Sequence, residues 1–312
     1  MAKKTKRQRK FSEWICRFDR HLEARNFSSM TRRQYENRLS LFAAWARGKG
    51  VSSPQQLTPE IIGDYQAHIS EFRKPVGGRL AIGTQLQRLA PIRTFCRWLH
   101  SRSFLPSDPS SELTFPTESR TLPRDVPTPR EIGTVIRRLL REQKEDTQWL
   151  RNAAIIACLF STGCRKMEAA RLRLCDVNLE TREVRIEKAK NRYGRVTFIA
   201  PWASKLLARY LQEERPKRWG KSDVLFPSTH SGNSASEPMI SYIIRNAFAG
   251  LKNKHIVCHS LRHAFCISLL RGGANIRVIA ELAGHNTLSS TSKYTKLELT
   301  DLRKVHERAF LE

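Results

Sequence analysis

Between two long stretches of periodic sequence lies a segment in which no periodicity is found. Residues 101–127 read SRSFLPSDPSSELTFPTESRTLPRDVP, and proline and serine dominate them. Proline lacks a backbone donor and fixes φ, so such a segment favours neither a regular helix nor a central strand. A chain of 312 residues is long enough for two ordinary domains. We therefore predict domains at residues 11–105 and 128–312, a linker at residues 106–127, and a basic disordered arm at residues 1–10.

The first domain is predicted to be a bundle of helices. Apolar residues recur at spacings of three and four along four stretches. Thr58 and Pro59 match the N-cap and first position of the third helix. Pro91 lies inside the fourth helix and is expected to kink or split it. The apolar positions are Phe11, Trp14, Ile15, Phe18 and Leu22; Tyr35, Leu39, Phe42 and Ala46; Ile61, Ile62, Tyr65 and Ile69; and Leu86, Leu89, Ile92, Phe95, Cys96 and Leu99.

The second domain is predicted to be mainly α-helical with a small antiparallel β-sheet. Thr128-Pro129-Arg130-Glu131 matches a capping box that opens a helix, and a further helical run spans residues 149–161. The pattern then changes to period two, which indicates a β-hairpin. From about residue 239 the pattern is helical again. The alternating residues of the hairpin are Val184 and Ile186, then Val196, Phe198 and Ala200, with the turn at residues 191–194.

The charge balance indicates a polyanionic partner. Lys and Arg outnumber Asp and Glu by 56 to 29, which gives a net charge of +27. Such an excess repels itself unless a polyanion neutralises it. No apolar run approaches the ~18 residues of a transmembrane helix, and no hydrophobic stretch follows the basic start MAKKTKRQRK as in a secretory signal. The seven cysteines show no CxxC spacing and fit reduced thiols in a cytoplasmic protein. The expected partner is intracellular DNA or RNA, not a membrane.

One short stretch, CHSLRHAF at residues 258–265, concentrates side chains that bind anions or metals. His255, His259 and His263 lie four apart and would share one face of a continuous helix. No Asp, Glu or Cys falls at a good ligand offset and no HExxH occurs, so a metal site is disfavoured. His259 and Arg262 lie three apart and can hold a phosphate together. From these residues alone, an ordinary basic helix face is the alternative.

Two further patches carry residues of the same kind. In STGCRKMEAARL, Arg165 follows a glycine at the end of an apolar helix, and Glu168 lies one turn later. Glu168 either orients a neighbouring basic group or forms an ordinary surface pair. In LAGHNTLSSTSKYTK, His285 follows Ala-Gly in an expected turn, and Tyr294 is surrounded by Ser, Thr and Lys. Because Tyr294 lies outside any apolar stripe, it is a poor candidate for the hydrophobic core.

Taken in order, these residues resemble the tyrosine recombinase (phage integrase) family. The tail DLRKVHERA is similar to the C-terminal helix of the bacterial Xer-type members. The likeness covers most of residues 128–312 and, more loosely, the helical first domain, which resembles the family's DNA-clamping core-binding domain. The elements that carry it are TGCR with Arg165, KAKNRYGR with Lys190, HSLRH with His259 and Arg262, AGH with His285, and KYT with Tyr294.

The resemblance implies a phosphoryl-transfer chemistry that needs no cofactor and no metal. Tyr294 would attack a DNA phosphodiester, giving a 3'-phosphotyrosyl link and a free 5'-hydroxyl. Arg165 and Arg262 would hold the non-bridging oxygens of the transition state. The other implied roles are Lys190 as general acid, His259 in proton transfer, His285 as a hydrogen-bond donor to the phosphate, and Glu168 as a supporting residue.

The resemblance also guides the choice of DNA contacts. Lys188 and Lys190 both lie in the hairpin, and Lys190 is preferred as the acid because the KN...R spacing matches the family pattern better. Lys188 would then contact the DNA backbone or solvent. The full set of expected DNA-contacting residues is Lys188, Arg192, Arg195, His263 and Lys293.

The expected function is site-specific recombination of duplex DNA, for a mobile element by integration or excision, or for Xer-like resolution. Two DNA duplexes with two cleavage sites each imply a homotetramer, with or without a second recombinase or an accessory DNA-bending protein. The helix at about residues 298–310 would dock on the neighbouring protomer, and the protein would be nucleoid-associated. A type IB topoisomerase-like or hairpin-forming enzyme and a non-cutting DNA-binding regulator are the alternatives.

Overall fold

The computed structural model describes residues 10–75, 77–117, 125–142, 148–187, 194–228, 233–251 and 254–284. The chain divides into two compact units, Met1–Ser119 and Arg120–Glu312. The boundary falls inside the segment that the sequence predicts as a linker. None of the helices in the described ranges is both long and apolar enough to cross a bilayer.

The described part of the first unit is helical. Ser28 caps α2 (Ser29–Gly48) by accepting a hydrogen bond from the backbone N–H of Thr31 at 3.1 Å, and Thr58 caps α3 (Pro59–Glu71) in the same way through Ile61. The side chains of Phe18, Phe42 and Phe95 are almost fully buried in its core. Its helices are α1 (Phe11–Ala24), α2 (Ser29–Gly48), α3 (Pro59–Glu71) and α4 (Ile82–Ser101).

The helix that contains Pro91 is not split. The sequence predicts a kink or a split there; the split is not formed, since α4 runs from Ile82 to Ser101 as one element. Pro91 and Ile92 are both buried. Burial of this face holds the helix together across the missing backbone hydrogen bond, because tertiary packing supplies most of the stability of a helix in a folded protein.

The second unit is built around one buried helix. Ten of the fourteen residues of α6 (Trp149–Thr162) are buried, including Ile155, Ile156 and Leu159. Three other helices pack against it, namely α5 (Pro129–Arg141), α8 (Pro201–Glu213) and α11 (Cys258–Arg271). The fold class that the sequence predicts, mainly helical with a small antiparallel sheet, is confirmed. The helices described in this unit are α5 (Pro129–Arg141), α6 (Trp149–Thr162), α7 (Lys166–Arg171), α8 (Pro201–Glu213), α9 (Arg215–Trp219), α10 (Glu237–Phe248), α11 (Cys258–Arg271) and α12 (Ile276–Ala283).

A three-stranded antiparallel sheet lies beside the end of α6. Its strands are β1 (Val177–Asn178), β2 (Glu183–Ile186) and β3 (Arg195–Phe198), in the order β1-β2-β3. In the register of β2 and β3, Val184 lies opposite Thr197. The buried hydroxyl of Thr197 donates to the backbone oxygen of Thr162 at 3.0 Å, which joins β3 to the last turn of α6.

The two apolar residues of β3 face outward. Val196 and Phe198 are 44% and 52% exposed, whereas Thr197 is fully buried. Successive side chains of a strand point to opposite faces, so Arg195 and Thr197 share the inner face. This arrangement directs Arg195 toward the protein interior.

The capping box at the start of α5 gives a test of the fold. Thr128 Oγ1 accepts from the N–H of Glu131 at 3.2 Å, and the Glu131 carboxylate accepts from the N–H of Thr128 at 2.7 Å. Thr128→Ala is expected to destabilise the second unit by about 1 kcal/mol, because one of these donors loses its partner. The measurement is the midpoint of urea unfolding followed by circular dichroism. Thr134→Ala, at an exposed position of the same helix, should leave the midpoint nearly unchanged. Equal effects of the two substitutions would contradict this role of the cap.

Candidate phosphate-binding site

The turn that follows α6 positions Arg165, the first site residue in the chain. Gly163 ends the helix with φ +64°, a left-handed conformation that glycine adopts without strain. A Cβ on Gly163 would lie 2.3 Å from the Phe265 ring, so no other residue fits this close approach. The turn places Arg165 at the N-cap of α7, with Cys164 buried behind it.

Arg262 is the most deeply buried charged residue of the site. It lies on α11 with only 1% of its surface exposed, and its Nη1 donates to the Gly163 carbonyl at 2.7 Å. Its Nη2 is buried and has no hydrogen-bond partner among the residues that the structure describes. Burial lowers the pKa of Arg262 to about 10, and the charges of Arg165 and Arg195 act in the same direction. The group therefore stays cationic near neutrality, with an unused donor.

Arg165, His259 and Arg262 line one cavity of about 480 Å³. Lys166 lines it too and is held by Glu237 at 3.0 Å and by the Ser241 hydroxyl at 3.3 Å. The first residues of α11 form part of the wall, and the N-terminus of a helix attracts anions through its free N–H groups. The cavity thus combines three of the residues that the sequence singles out and is suited to an anion.

Glu168 neutralises part of this charge. Its carboxylate accepts from Arg165 Nη1 at 2.7 Å and from the Arg165 backbone N–H at 2.8 Å. Arg195 donates to both carboxylate oxygens, at 3.0 and 2.7 Å. Burial alone would raise the pKa of Glu168, but the hydrogen bonds and charge of Arg195, together with the hydrogen bonds from Arg165, outweigh it and lower this pKa to about 2. Glu168 is ionised at any pH near neutrality.

The histidines of the CHSLRHAF stretch do not form one row. The rings of His259 and His263 are 4.4 Å apart and nearly perpendicular, on successive turns of α11. His255 precedes the first residue of α11, so it does not continue their helical face. A three-histidine stack, which the spacing allows, is not formed.

Comparison with known proteins identifies the family. The sequence model of the phage integrase family matches residues 133–300, more than half of the chain. The chain belongs to the phage integrase family. The resemblance drawn from the sequence motifs is thereby confirmed.

Two relatives of this phage integrase family member are named tyrosine recombinases. Tyrosine recombinase XerC 2 of Ralstonia nicotianae is 32% identical over 293 residues, which cover 92% of this chain and 83% of that protein. Tyrosine recombinase XerD of Lacticaseibacillus casei is 30% identical over 302 residues, which cover 94% of this chain and 97% of that protein. The similarity therefore extends through both units.

Solved structures share the fold at lower identity. The Tn1549 transposon integrase in complex with a circular intermediate DNA has a TM-score of 0.75 at 15% identity, and the match covers 96% of this chain and 99% of that one. The XerH site-specific recombinase bound to its difH substrate has a TM-score of 0.67 at 18% identity, with 93% and 82% covered. At these identities the likeness shows the fold of the phage integrase family.

The structure covers half of the expected catalytic residues of this family member. It describes Arg165, His259 and Arg262, together with Glu168 beside them. Six other expected site residues lie outside the described residues, as does the predicted C-terminal helix at about 298–310. They are Lys188, Lys190, Arg192, His285, Lys293 and Tyr294.

Arg195 is engaged within the protein. The sequence predicts it as a DNA contact, and in the structure its side chain is only 7% exposed and donates to Glu168 and to the backbone oxygen of Leu282. The backbone anchor of Arg262, the Gly163 carbonyl, also escaped sequence reasoning. For Arg195 a signal existed, because period two places it on the same face as the buried Thr197.

The lowered pKa of Glu168 predicts a pH dependence of stability. Its native pKa of about 2 lies below the ordinary value of 4.5, so the stabilisation is fully present above about pH 4.5 and is lost as the pH falls toward 2. Glu168→Gln should cost about 2 kcal/mol at pH 7, since charged hydrogen bonds are lost. The difference from wild type should shrink between pH 4.5 and 2 in urea unfolding. Glu213→Gln, which breaks the exposed pair with Arg209, is the control; solvent screens that pair, so its difference from wild type should change much less over this pH range. A difference that is constant with pH would contradict the assignment.

Proposed function

We propose that this protein is a site-specific DNA recombinase that cuts and rejoins duplex DNA through a 3'-phosphotyrosyl intermediate on Tyr294. The observation that carries the proposal is the buried guanidinium of Arg262, which presents an unpartnered donor among the described residues, in a cavity shared with Arg165 and His259. The family membership and the names of the relatives support the same activity.

The electrostatics of the cavity suit a phosphodiester. Burying a guanidinium is costly unless a counter-charge or hydrogen bonds compensate it. Among the described residues, Arg165 and Arg195 donate to the carboxylate of Glu168, and Arg262 lies close enough to interact with the same charges, which leaves an excess of positive charge at the cavity. A phosphate supplies the missing negative charge. The pentacoordinate transition state carries more negative charge than the phosphodiester and is therefore bound more tightly.

The proposed reaction balances its protons without water. The Tyr294 phenol oxygen attacks phosphorus, the bond from phosphorus to the 5'-oxygen breaks, and the 3'-phosphate remains on the tyrosine. His259 accepts the phenolic proton, since an unperturbed phenol with a pKa of ~10 is a poor nucleophile at neutrality. Lys190 donates a proton to the departing 5'-oxygen, and His285 donates a hydrogen bond to the phosphate. Because the phosphotyrosyl link conserves the bond energy, a second 5'-hydroxyl can reverse the step and join new partners.

The substrate and assembly follow from the same proposal. The net charge of +27 suits duplex DNA, which the helical first unit and the basic arm would contact along with the second unit. The Tn1549 integrase and XerH, which share the fold, were solved with DNA. Recombination between two duplexes calls for a tetramer, in which the segment at about residues 298–310 docks on a neighbour. Integration or excision of a mobile element and Xer-like resolution both fit this scheme.

The first test is covalent capture. Wild-type protein is incubated in EDTA with a nicked duplex from its native locus, and SDS-resistant adducts are counted. Wild type and Tyr242→Phe, a control at an exposed tyrosine of α10, should both form adducts, and Tyr294→Phe should form none because the nucleophile is gone. Adducts with Tyr294→Phe would refute the assignment. Intact binding without adducts in wild type would indicate a non-cutting binder, and relaxation of plasmids that lack the site would indicate a topoisomerase.

The second test separates the two hairpin lysines. On an ordinary nicked duplex, Lys190→Ala should reduce cleavage about 10²- to 10⁴-fold, the usual contribution of a general acid. On a duplex with a 5'-thiol leaving group, which needs no proton, Lys190→Ala should recover to the wild-type rate. Lys188→Ala should show no such recovery. Rescue of Lys188→Ala in place of Lys190→Ala would exchange their roles.

A further inference from the structure

The carbonyl end of α12 is held by two arginines from elsewhere in the second unit. Arg195 Nε donates to the Leu282 oxygen at 2.9 Å, and Arg165 Nη2 donates to the Gly284 oxygen at 2.6 Å. The last carbonyls of a helix lack intrahelical donors and form the negative end of its dipole. The two arginines therefore supply these carbonyls with hydrogen-bond donors and also place positive charge at the negative end of the helix dipole.

The same two guanidinium groups share the Glu168 carboxylate. Each uses one part of its fork on Glu168 and another on α12, so the three side chains and two carbonyls form one connected unit. We call the set of Arg165, Glu168, Arg195 and the carbonyls of Leu282 and Gly284 the arginine bracket. It joins α7, β3 and α12.

The bracket depends on a glycine. Gly284 has φ +66°, and a Cβ there would lie 2.6 Å from Arg195 Nη1 and 2.9 Å from its Cδ and Cζ. The Arg195 guanidinium thus occupies space that only glycine leaves open. A close approach of this kind, with three directed hydrogen bonds, fixes the guanidinium more tightly than a surface ion pair would.

We infer that Arg195 is a positioning residue for the recombination reaction. By holding Glu168, Arg195 orients the Arg165 side chain toward the cavity. It also holds the carbonyl end of α12, and His285 is the next residue in the sequence after that end. Among the described residues, the cavity wall includes Arg165 and Arg262 but not Arg195. Arg195 therefore acts through Arg165 and not by touching DNA. This inference rests on the proposed function and deepens it.

An arginine is required for this role. Nε, Nη1 and Nη2 of Arg195 each donate to a different acceptor atom, which the planar fork of a guanidinium allows. A lysine keeps the charge but presents one compact ammonium group and loses the fork. Charge and geometry are thus separable by substitution.

The test compares cleavage rates on two DNA substrates. One is the nicked native-locus duplex, and the other carries an uncharged methylphosphonate at the cleavage position mapped from the wild-type adduct. On the phosphodiester, Arg195→Gln and Arg195→Lys should form adducts about a hundredfold more slowly than wild type, as expected for a displaced Arg165. The methylphosphonate has no charged oxygen for Arg165 to hold. On this substrate the difference in adduct-formation rate between wild type and the Arg195 variants should therefore be smaller, and the difference between wild type and Arg165→Ala should be smaller too.

Controls separate positioning from folding and from DNA contact. Arg209→Gln removes an exposed arginine that pairs with Glu213 and should cleave both substrates like wild type. A folding defect would slow both substrates equally, and that result would overturn the inference; if Arg195→Gln does not fold, Arg195→Lys carries the comparison. DNA affinity is also measured as a function of salt concentration. If the slope of log affinity against log salt is smaller in magnitude by about 0.9 in Arg195→Gln, Arg195 contacts a phosphate, and the inference is overturned. Absence of adducts in wild type would instead refute the proposed function.

Discussion

One carboxylate makes the positive charge of this site tolerable. Glu168 is largely buried between Arg165 and Arg195 and accepts from both, while Arg262 lies near enough that their charges lower its pKa. Three guanidinium groups so close together would repel one another without a counter-charge, and desolvation would add to the cost. With Glu168 ionised, the cluster keeps a net positive charge that a bound phosphate can neutralise. The stability of the site and its affinity for an anion thus depend on the same group.

Among the residues that the structure describes, one donor of the site has no partner. Buried polar groups in folded proteins are nearly always hydrogen-bonded, so the free Nη2 of Arg262 is an exception among the described residues. Its other nitrogen, Nη1, is anchored on Gly163, which keeps the group from turning toward a partner of its own. A preorganised donor of this kind needs no rearrangement when charge develops on a bound phosphate.

Local signals predicted much of the fold, and long-range contacts explain the misses. The capping box at Thr128 and the turn glycine before Arg165 act within a few residues, and the sequence displays such signals directly. The inward orientation of Arg195 depends on Glu168 and Leu282, 27 and 87 residues away in the chain. The apolar residues of β3 suggested the opposite face for burial. The unbroken helix at Pro91 has the same kind of cause, since tertiary packing outweighs a local preference. The family motifs identify Arg165 and Arg262, which we call the clamp, but not the groups that hold them.

Two helix ends share one design that explains the glycines around the clamp. Both α6 and α12 end in a left-handed glycine, Gly163 and Gly284, and each glycine carbonyl accepts from a clamp arginine, Arg262 or Arg165. A Cβ on either glycine would collide with a neighbouring side chain. The two arginines are therefore positioned by backbone oxygens at the negative ends of two helices. One of these helices, α6, lies in the buried core. Backbone anchors of this kind cannot rotate away as side chains can. The positions of Arg165 and Arg262 therefore depend on how α6 and α12 are packed.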